Sequence, residues 1–151
     1  MRKIILGIGN LLNTDEGVGI HAIRALQQQS SVGDFEIEDG GTLGLNLLPL
    51  IEESSHLIVL DAIDGHKEPG TLIELARDEV RLFSTIKMSQ HQLLFQEVLA
   101  LAQVRGHLPE HLTLIGIQPQ DLQVGVDLSP TVAMVLPRLV ARAEEIAREW
   151  Q

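Results

Sequence analysis

Short apolar runs bounded by turn residues alternate along the chain with segments whose apolar residues recur at helical spacing. The apolar runs predict five strands, at residues 3–8, 35–38, 56–61, 71–76 and 111–117. The helical spacing predicts helices at residues 16–29, 44–53 and 89–103. A final helix begins at Ser129-Pro130, an N-cap followed by a proline at the first helical position. Strands that alternate with helices indicate an α/β sandwich with a largely parallel sheet.

One connection departs from this alternation. Residues 62–70 contain Asp64-Gly65 and Pro69-Gly70 but no helical periodicity. Parallel strands usually need a crossover connection of about a dozen residues or more. The fourth strand is therefore expected to run antiparallel within a mixed sheet.

Composition narrows the class of protein. At 151 residues the chain is expected to form a single domain over residues 1–151. Its formal net charge is −10 and aromatic residues make up 3% of it, so nucleic acid and anionic membranes are disfavoured as partners. The absence of cysteine excludes a thiol nucleophile and a thiolate zinc site. With no signal-peptide pattern at the N terminus, a cytoplasmic location is expected.

The first predicted strand leads into a glycine-rich segment, GIGNLLNTDEGVGIH at residues 7–21. Gly7 and Gly9 match two glycines of the dinucleotide-binding fingerprint, but Leu12 stands where the third is required. A nucleotide-binding regulatory module is therefore the weaker hypothesis. The glycines are expected to let the chain turn sharply off the strand.

Three positions at predicted strand or helix ends are candidates for chemistry, and each also has a simpler structural explanation. Asp15-Glu16 lies in a first helical turn, where acidic residues also complement the helix dipole. Asp61 ends a buried strand at the edge where open α/β sheets bind ligands, although aspartates there also cap turns. Ser89 and Gln92 form a capping box that places His91 in the first turn of its helix, where it is expected to be neutral, although an isolated histidine also fills core gaps.

Together, Glu16, Asp61 and His91 can approach one point at a single end of the sheet. Two carboxylates and one imidazole suit a borderline divalent metal with an open coordination position. The candidates for supporting or substitute ligands are Asp15, Asp39, Asp64 and His66. The HExxH, GxSxG and P-loop patterns are absent from the sequence, which disfavours the standard zincin, α/β-hydrolase and NTPase classes.

With these residues assembled, the sequence resembles the maturation endopeptidases of nickel–iron hydrogenases over nearly its whole length. Four segments carry the resemblance: GIGNLLNTDEGVG (7–19), DGGTLG (39–44), LIVLDAID (57–64) and SQHQL (89–93). The resemblance implies a three-layer α/β/α sandwich of the phosphorylase/hydrolase-like type. Its five-stranded mixed sheet would have an antiparallel fourth strand, in agreement with the short connection.

The resemblance also implies removal of the C-terminal extension of a hydrogenase large-subunit precursor after nickel insertion, with nickel as a recognition element. Glu16, Asp61 and His91 map onto the family's metal-contacting residues. Asp39 maps onto a position tied to substrate recognition or cleavage. The nickel would arrive with the precursor, held by precursor cysteines, so the free enzyme need not carry metal.

Two questions stay open at this stage. Either the metal or a carboxylate general base would activate water or polarise the scissile carbonyl, and Asp15 and Asp39 are the candidate bases. A noncatalytic nickel carrier or chaperone for hydrogenase assembly would use the same three ligands. Turnover separates the two functions, because a peptidase shortens its partner and a carrier leaves it intact.

Overall fold

The structure, a computed structural model, describes residues 1–29, 31–79 and 90–151, with only the backbone described for residues 29 and 90–94. The strands of this part are β1 (Arg2–Ile8), β2 (Glu36–Gly41), β3 (Ser54–Ala62), β4 (Leu72–Ala76) and β5 (His111–Ile117). Its α-helices are α1 (Val18–Gln29), α2 (Leu48–Glu53), α3 (Gln90–Val104) and α4 (Pro130–Glu149). Short 3₁₀ turns lie at Thr14–Gly17, Gly44–Leu47 and Arg77–Glu79.

The described strands form one sheet in the order β2-β1-β3-β5-β4. The β1–β2, β1–β3 and β3–β5 pairs are parallel, whereas β4 pairs antiparallel with β5. The five-stranded mixed sheet with an antiparallel fourth strand confirms the sequence prediction. Its physical cause is the short connection after β3, which returns the chain at the same edge because it is too short to cross the sheet.

A helical layer covers each face of the sheet, so the three-layer α/β/α arrangement is confirmed. Successive strand residues point to opposite faces, and neighbouring residues of β3 show this. Leu60 lies in an apolar cluster with residues of α1 and α4. Val59 lies in a second cluster with residues of α2 and α3. Among the described residues, no helix is both long enough and apolar enough to cross a lipid bilayer.

Two predicted boundaries differ from the structure in ways that affect the candidate residues. β2 starts at Glu36 and continues to Gly41, so Asp39 lies inside the strand. The cause is continued parallel pairing with β1, in which Asp39 faces Gly7. The predicted helix at residues 16–29 is a 3₁₀ turn followed by α1, which places Glu16 in the turn.

The predicted start of the last helix is confirmed. The Ser129 hydroxyl accepts the N–H of Val132 at 3.4 Å, and Pro130 opens α4. Pro49 stands in the first turn of α2, so the predicted helix at residues 44–53 is a 3₁₀ turn followed by a new helix. Ser89, the predicted cap of α3, lies outside the described residues.

Candidate active site

The ends of the parallel strands place four loops at one edge of the sheet, named the carboxyl edge. The loops after β1, β2, β3 and β5 span residues 9–17, 42–47, 63–71 and 118–129. The chain passes from β1 to β2 on one side, while β3 lies on the other side of β1. Open α/β sheets bind ligands at such a switch point. Glu16 lies in the loop that follows β1, and Asp61 lies near the end of β3.

The glycines after β1 permit a very close approach between this loop and the sheet. Gly9 has a φ of 143°, and a Cβ there would collide with the carbonyl oxygen of Glu16. A Cβ on Gly19 would collide with the carbonyl oxygens of Leu60 and Ile8. Gly9 therefore confirms the predicted sharp turn. Gly19 provides the close packing of helix on strand that the third fingerprint glycine provides elsewhere.

Backbone amides of the same loop already have partners within the protein. Gly9 N–H donates to the carbonyl of Gly41 at 3.0 Å, and Asn10 N–H donates to the carbonyl of Glu16 at 3.2 Å. Leu12 N–H donates to the side-chain oxygen of Asn10 at 2.9 Å. A phosphate-binding loop presents such amides to its ligand. This geometry therefore does not support the nucleotide-binding hypothesis.

Glu16 lies almost buried at the switch point. Its residue exposure is 6%, and the 3₁₀ turn that carries it packs against β3. The turn is closed by a hydrogen bond from Glu16 N–H to the carbonyl of Asn13 at 3.1 Å. The turn thus brings Glu16 close to the strand that contains Asp61.

Asp61 is 2% exposed and is paired with Gly116 of β5 in the sheet register. Asp61 and Val59 are two residues apart in β3, so their side chains point to the same face of the sheet. This is the face that α2 and α3 cover. Its Oδ1 accepts the N–H of Ala62 at 2.8 Å. This hydrogen bond from the next residue of the strand orients the carboxylate.

The first turn of α3, which contains His91, lies toward the carboxyl edge. α3 ends at the opposite edge, because Arg105, directly after it, donates to Glu52 at 2.7 Å just before β3 begins. A helix rises about 1.5 Å per residue, and α3 has 15 residues. The turn Gly44–Leu47 at the carboxyl edge also packs against α3. The backbone thus brings His91 to the end and face of the sheet that hold Asp61, while its side chain lies outside the described residues.

Asp39 lies on the other face of the sheet. Asp39 and Ile37 are two residues apart in β2, so their side chains point to the same face of the sheet. Ile37 packs against the apolar cluster that includes residues of α1. With Gly9, Asn10 and Ile20 it lines a shallow pocket of about 220 Å³. Its Oδ1 accepts the N–H of Gly41 at 2.9 Å. The structure therefore places Asp39 beside the switch point, with β1 between its strand and that of Asp61.

No metal site is complete within the side chains that the structure describes. Among them, no group of three His, Asp or Glu residues is arranged to hold an ion. Glu16 and Asp61 are described, whereas the side chain of His91 is not. The set of three ligands therefore remains a prediction. Two of its members, Glu16 and Asp61, are nearly buried and lie on elements that pack together.

Asp15, one of the two candidate bases, holds a distant loop in place. Its side chain is fully buried. Its carboxylate accepts the N–H groups of Gln120 at 2.9 Å and Asp121 at 3.0 Å. It also accepts both the N–H and the hydroxyl of Ser129, each at 2.8 Å. A carboxylate surrounded by these donors serves the structure, which leaves Asp39 as the candidate base.

Gln118 is a residue that the sequence pattern did not single out. It is 7% exposed and directly follows β5 at the carboxyl edge. Its Oε1 accepts the N–H groups of Gly65 at 2.8 Å and Lys67 at 3.1 Å, and its Nε2 donates to Asp64 Oδ1 at 3.1 Å. Asp64 also accepts the N–H of the exposed His66 at 3.1 Å. These two candidate supporting ligands thus belong to a network that shapes the loop after β3.

The fold is shared with solved proteases of hydrogenase maturation. The hydrogenase maturating endopeptidase HybD from Escherichia coli matches with a TM-score of 0.92 and 38% identity, over 99% of this chain and 93% of that chain. The [NiFe] hydrogenase maturation protease HybD from Thermococcus kodakarensis matches with a TM-score of 0.80 and 26% identity, over 97% and 99%. The chain has the α/β fold of these proteases.

Sequence relatives identify the family. The hydrogenase expression/formation protein HupD of Rhizobium leguminosarum bv. viciae is 46% identical, over 99% of this chain and 75% of that protein. The hydrogenase 2 maturation protease of Escherichia coli K12 is 43% identical, over 92% and 87%. The family model described as hydrogenase maturation protease (HycI) matches residues 20–146. The chain belongs to the hydrogenase maturation protease family.

Proposed function

We propose that this protein removes the C-terminal extension of a nickel–iron hydrogenase large-subunit precursor after nickel insertion, and that it recognises the nickel as part of its substrate. Membership of the family supports proteolytic maturation of a hydrogenase. The observation that carries the finer proposal is the placement of two nearly buried carboxylates, Glu16 and Asp61, at the switch point between β1 and β3. The reaction is assigned to the cytoplasm.

In this proposal Glu16, Asp61 and His91 contact nickel that the precursor already holds. Carboxylate oxygens and imidazole nitrogens are suitable donors for a divalent ion of this kind. Burial strengthens the attraction of the two carboxylates for a cation, because the local dielectric is low. The chain has no cysteine, so it brings no thiolate to compete with the ligands of the precursor. This donor set fits recognition of bound nickel better than its removal.

Asp39 is assigned the role of general base. Its pocket beside the switch point is open to water, and the Gly41 N–H orients its carboxylate. It would take a proton from the attacking water and deliver it to the amine of the departing peptide. The contacts of Glu16 and Asp61 with the nickel-loaded precursor would hold the scissile peptide near this pocket.

Variants of the four residues test the proposal. Glu16→Gln, Asp61→Asn and His91→Ala are each expected to abolish processing of a nickel-loaded precursor and to leave the circular dichroism spectrum unchanged. Asp39→Asn is expected to lower kcat by about 10²-fold or more and to leave precursor binding intact. The exposed Asp34→Asn variant serves as a charge-matched control. Wild-type turnover in any two of the first three variants would contradict the assigned role.

A further inference from the structure

Exposed apolar side chains are concentrated at the carboxyl edge. Six large apolar side chains are exposed on its loops, including the 3₁₀ turn after β2: Leu12, Leu43, Leu45, Leu122, Val124 and Val126. Val124 is 89% exposed, and Val126 is 64% exposed. Contiguous apolar surface on a protein marks a site of interaction more often than isolated exposed residues do.

The backbone that carries several of these side chains is firmly held. Gly125 N–H donates to the carbonyl of Leu12 at 2.8 Å, and Thr14 N–H donates to the carbonyl of Gly125 at 2.9 Å. The Asn13 side chain donates to the carbonyl of Leu122 at 3.2 Å. A surface that is ordered before binding loses less conformational entropy when a partner docks. We name as the apolar rim the side chains of Leu12, Leu122, Val124 and Val126.

The surface beside the apolar rim is mainly acidic. Asp121 and Asp127 lie in the loop that bears most of the rim and Asp39 lies at the same edge, whereas Asp15 and Glu16 are buried. Segments 9–17, 39–47 and 118–129 contain no Lys or Arg, and the remaining loop of this edge, residues 63–71, contains one, Lys67. Complementary charge steers and orients a partner, whereas like charge disfavours it. The rim thus fits a peptide that presents apolar side chains with basic groups beside them, and it disfavours an acidic one.

We propose that the apolar rim docks the segment of the hydrogenase precursor that adjoins the scissile bond, an apolar peptide flanked by basic residues; this inference rests on the proposed function. The loop that bears the rim is bonded to Thr14 and Asp15, which directly precede Glu16. A peptide on the rim therefore lies next to the proposed nickel contact. Nickel reports that the precursor is loaded, and the rim selects the correct chain and fixes its register.

A pair of matched valines tests this docking surface. Val124 lies on the rim, whereas Val104 is 85% exposed at the last residue of α3, near the opposite edge. Steady-state processing of nickel-loaded precursor is measured for Val124→Ser and Val104→Ser, after thermal melts show that both fold. Val124→Ser is expected to raise KM about fivefold or more with kcat unchanged, because the contact is made equally before and during reaction. Val104→Ser is expected to match wild type.

Charge substitutions test the chemistry of the partner segment. Val124→Lys is expected to raise KM more than Val124→Glu, because lysine repels a basic segment and glutamate attracts it. The reverse order would overturn the assignment of a basic segment.

Failure of the inference is distinguishable from failure of the proposed function. Equal KM values for wild type and both serine variants would overturn the docking role and leave the protease in place. A wild-type enzyme that leaves nickel-loaded precursor intact would overturn both. Sedimentation equilibrium of the free protein is expected to show a monomer. A dimer that Val124→Glu dissociates would assign the rim to self-association and overturn the inference.

Discussion

Asp15 and Ser129, 114 residues apart in the chain, are joined by two hydrogen bonds of 2.8 Å. One comes from the Ser129 N–H and the other from its hydroxyl, which also caps the first turn of α4. The 3₁₀ turn that carries Glu16 is thereby fixed to the start of the last helix. The same carboxylate holds the loop that bears the apolar rim, so one buried side chain organises both parts of the proposed substrate surface.

Replacement of Asp15 by asparagine is expected to destabilise the protein. The amide nitrogen of the new side chain cannot accept the hydrogen bonds that one carboxylate oxygen now accepts, and it turns an N–H toward backbone N–H donors. A buried donor without a partner costs about 1–3 kcal/mol, and more where a charged acceptor is lost. Urea unfolding of Asp15→Asn should show this loss, while the exposed Asp34→Asn variant should stay within about 0.5 kcal/mol of wild type. Equal urea midpoints for the two variants would contradict this structural role of the Asp15 carboxylate.

Substitution of Gly19 by alanine is expected to be severe. The new methyl group would collide with the carbonyl oxygens of Leu60 and Ile8, so α1 must move away from the sheet. Overpacking of this kind costs about 1–3 kcal/mol, and the movement would displace Glu16 as well. The variant should therefore melt at a lower temperature and process precursor more slowly.

Gly65→Ala is the control for that substitution at the same edge. The atom nearest to its methyl group would be the end of the Ile73 side chain, at 3.1 Å, which can shift. This variant should retain near wild-type stability and turnover. Equal losses in the two variants would show that close helix–strand packing is not what makes Gly19 necessary.

A histidine stack at the amino ends of the strands predicts a pH dependence of stability. The His56 ring lies on that of His111, with centroids 4.2 Å apart. Burial, His111 and the Lys3 ammonium lower the pKa of His56, and Glu110 opposes them. The folded state thus keeps His56 neutral where the unfolded chain binds a proton. The stability this contributes is present above the ordinary pKa of about 6.5 and is lost as pH falls from there through the lowered folded-state value.

His56→Phe keeps an aromatic ring on the stack and removes the titration. Its free energy of unfolding should fall less steeply than that of wild type when pH decreases below about 6.5. A residual slope is expected, because burial also lowers the pKa of His21. Identical slopes for wild type and His56→Phe would contradict the assignment to His56.

Much of the fold follows from local patterns that the sequence displays. The alternation of apolar runs with segments of helical spacing predicts the order of strands and helices. The segment 62–70 is too short for a crossover, which predicts the antiparallel fourth strand. The candidate carboxylates Glu16 and Asp61 were found because strand ends at a switch point are visible in sequence. His91 is indicated by its place in the first turn of a predicted helix, and the family resemblance adds a substrate-recognition or cleavage role for Asp39; the roles of both residues stay predictions.

What sequence reasoning missed depends on contacts between distant segments. Asp15 has the same local context as Glu16, and only its partners near residue 120 reveal that it is a structural clamp. Gln118 carries no motif, and its role appears only when β5 ends beside the loop after β3. The end of β2 was misplaced because Asp39 is polar, although its pairing with β1 keeps it in the strand.

The most direct test of the central claim follows a hydrogenase large-subunit precursor by intact-mass spectrometry. The precursor is incubated with wild-type protein and with Glu16→Gln, once nickel-loaded and once nickel-free. We predict loss of a C-terminal peptide only from the loaded precursor and only with the wild-type protein. Equal shortening of the nickel-free precursor would contradict recognition of nickel, and an unchanged mass of the loaded precursor with wild-type protein would contradict the protease itself.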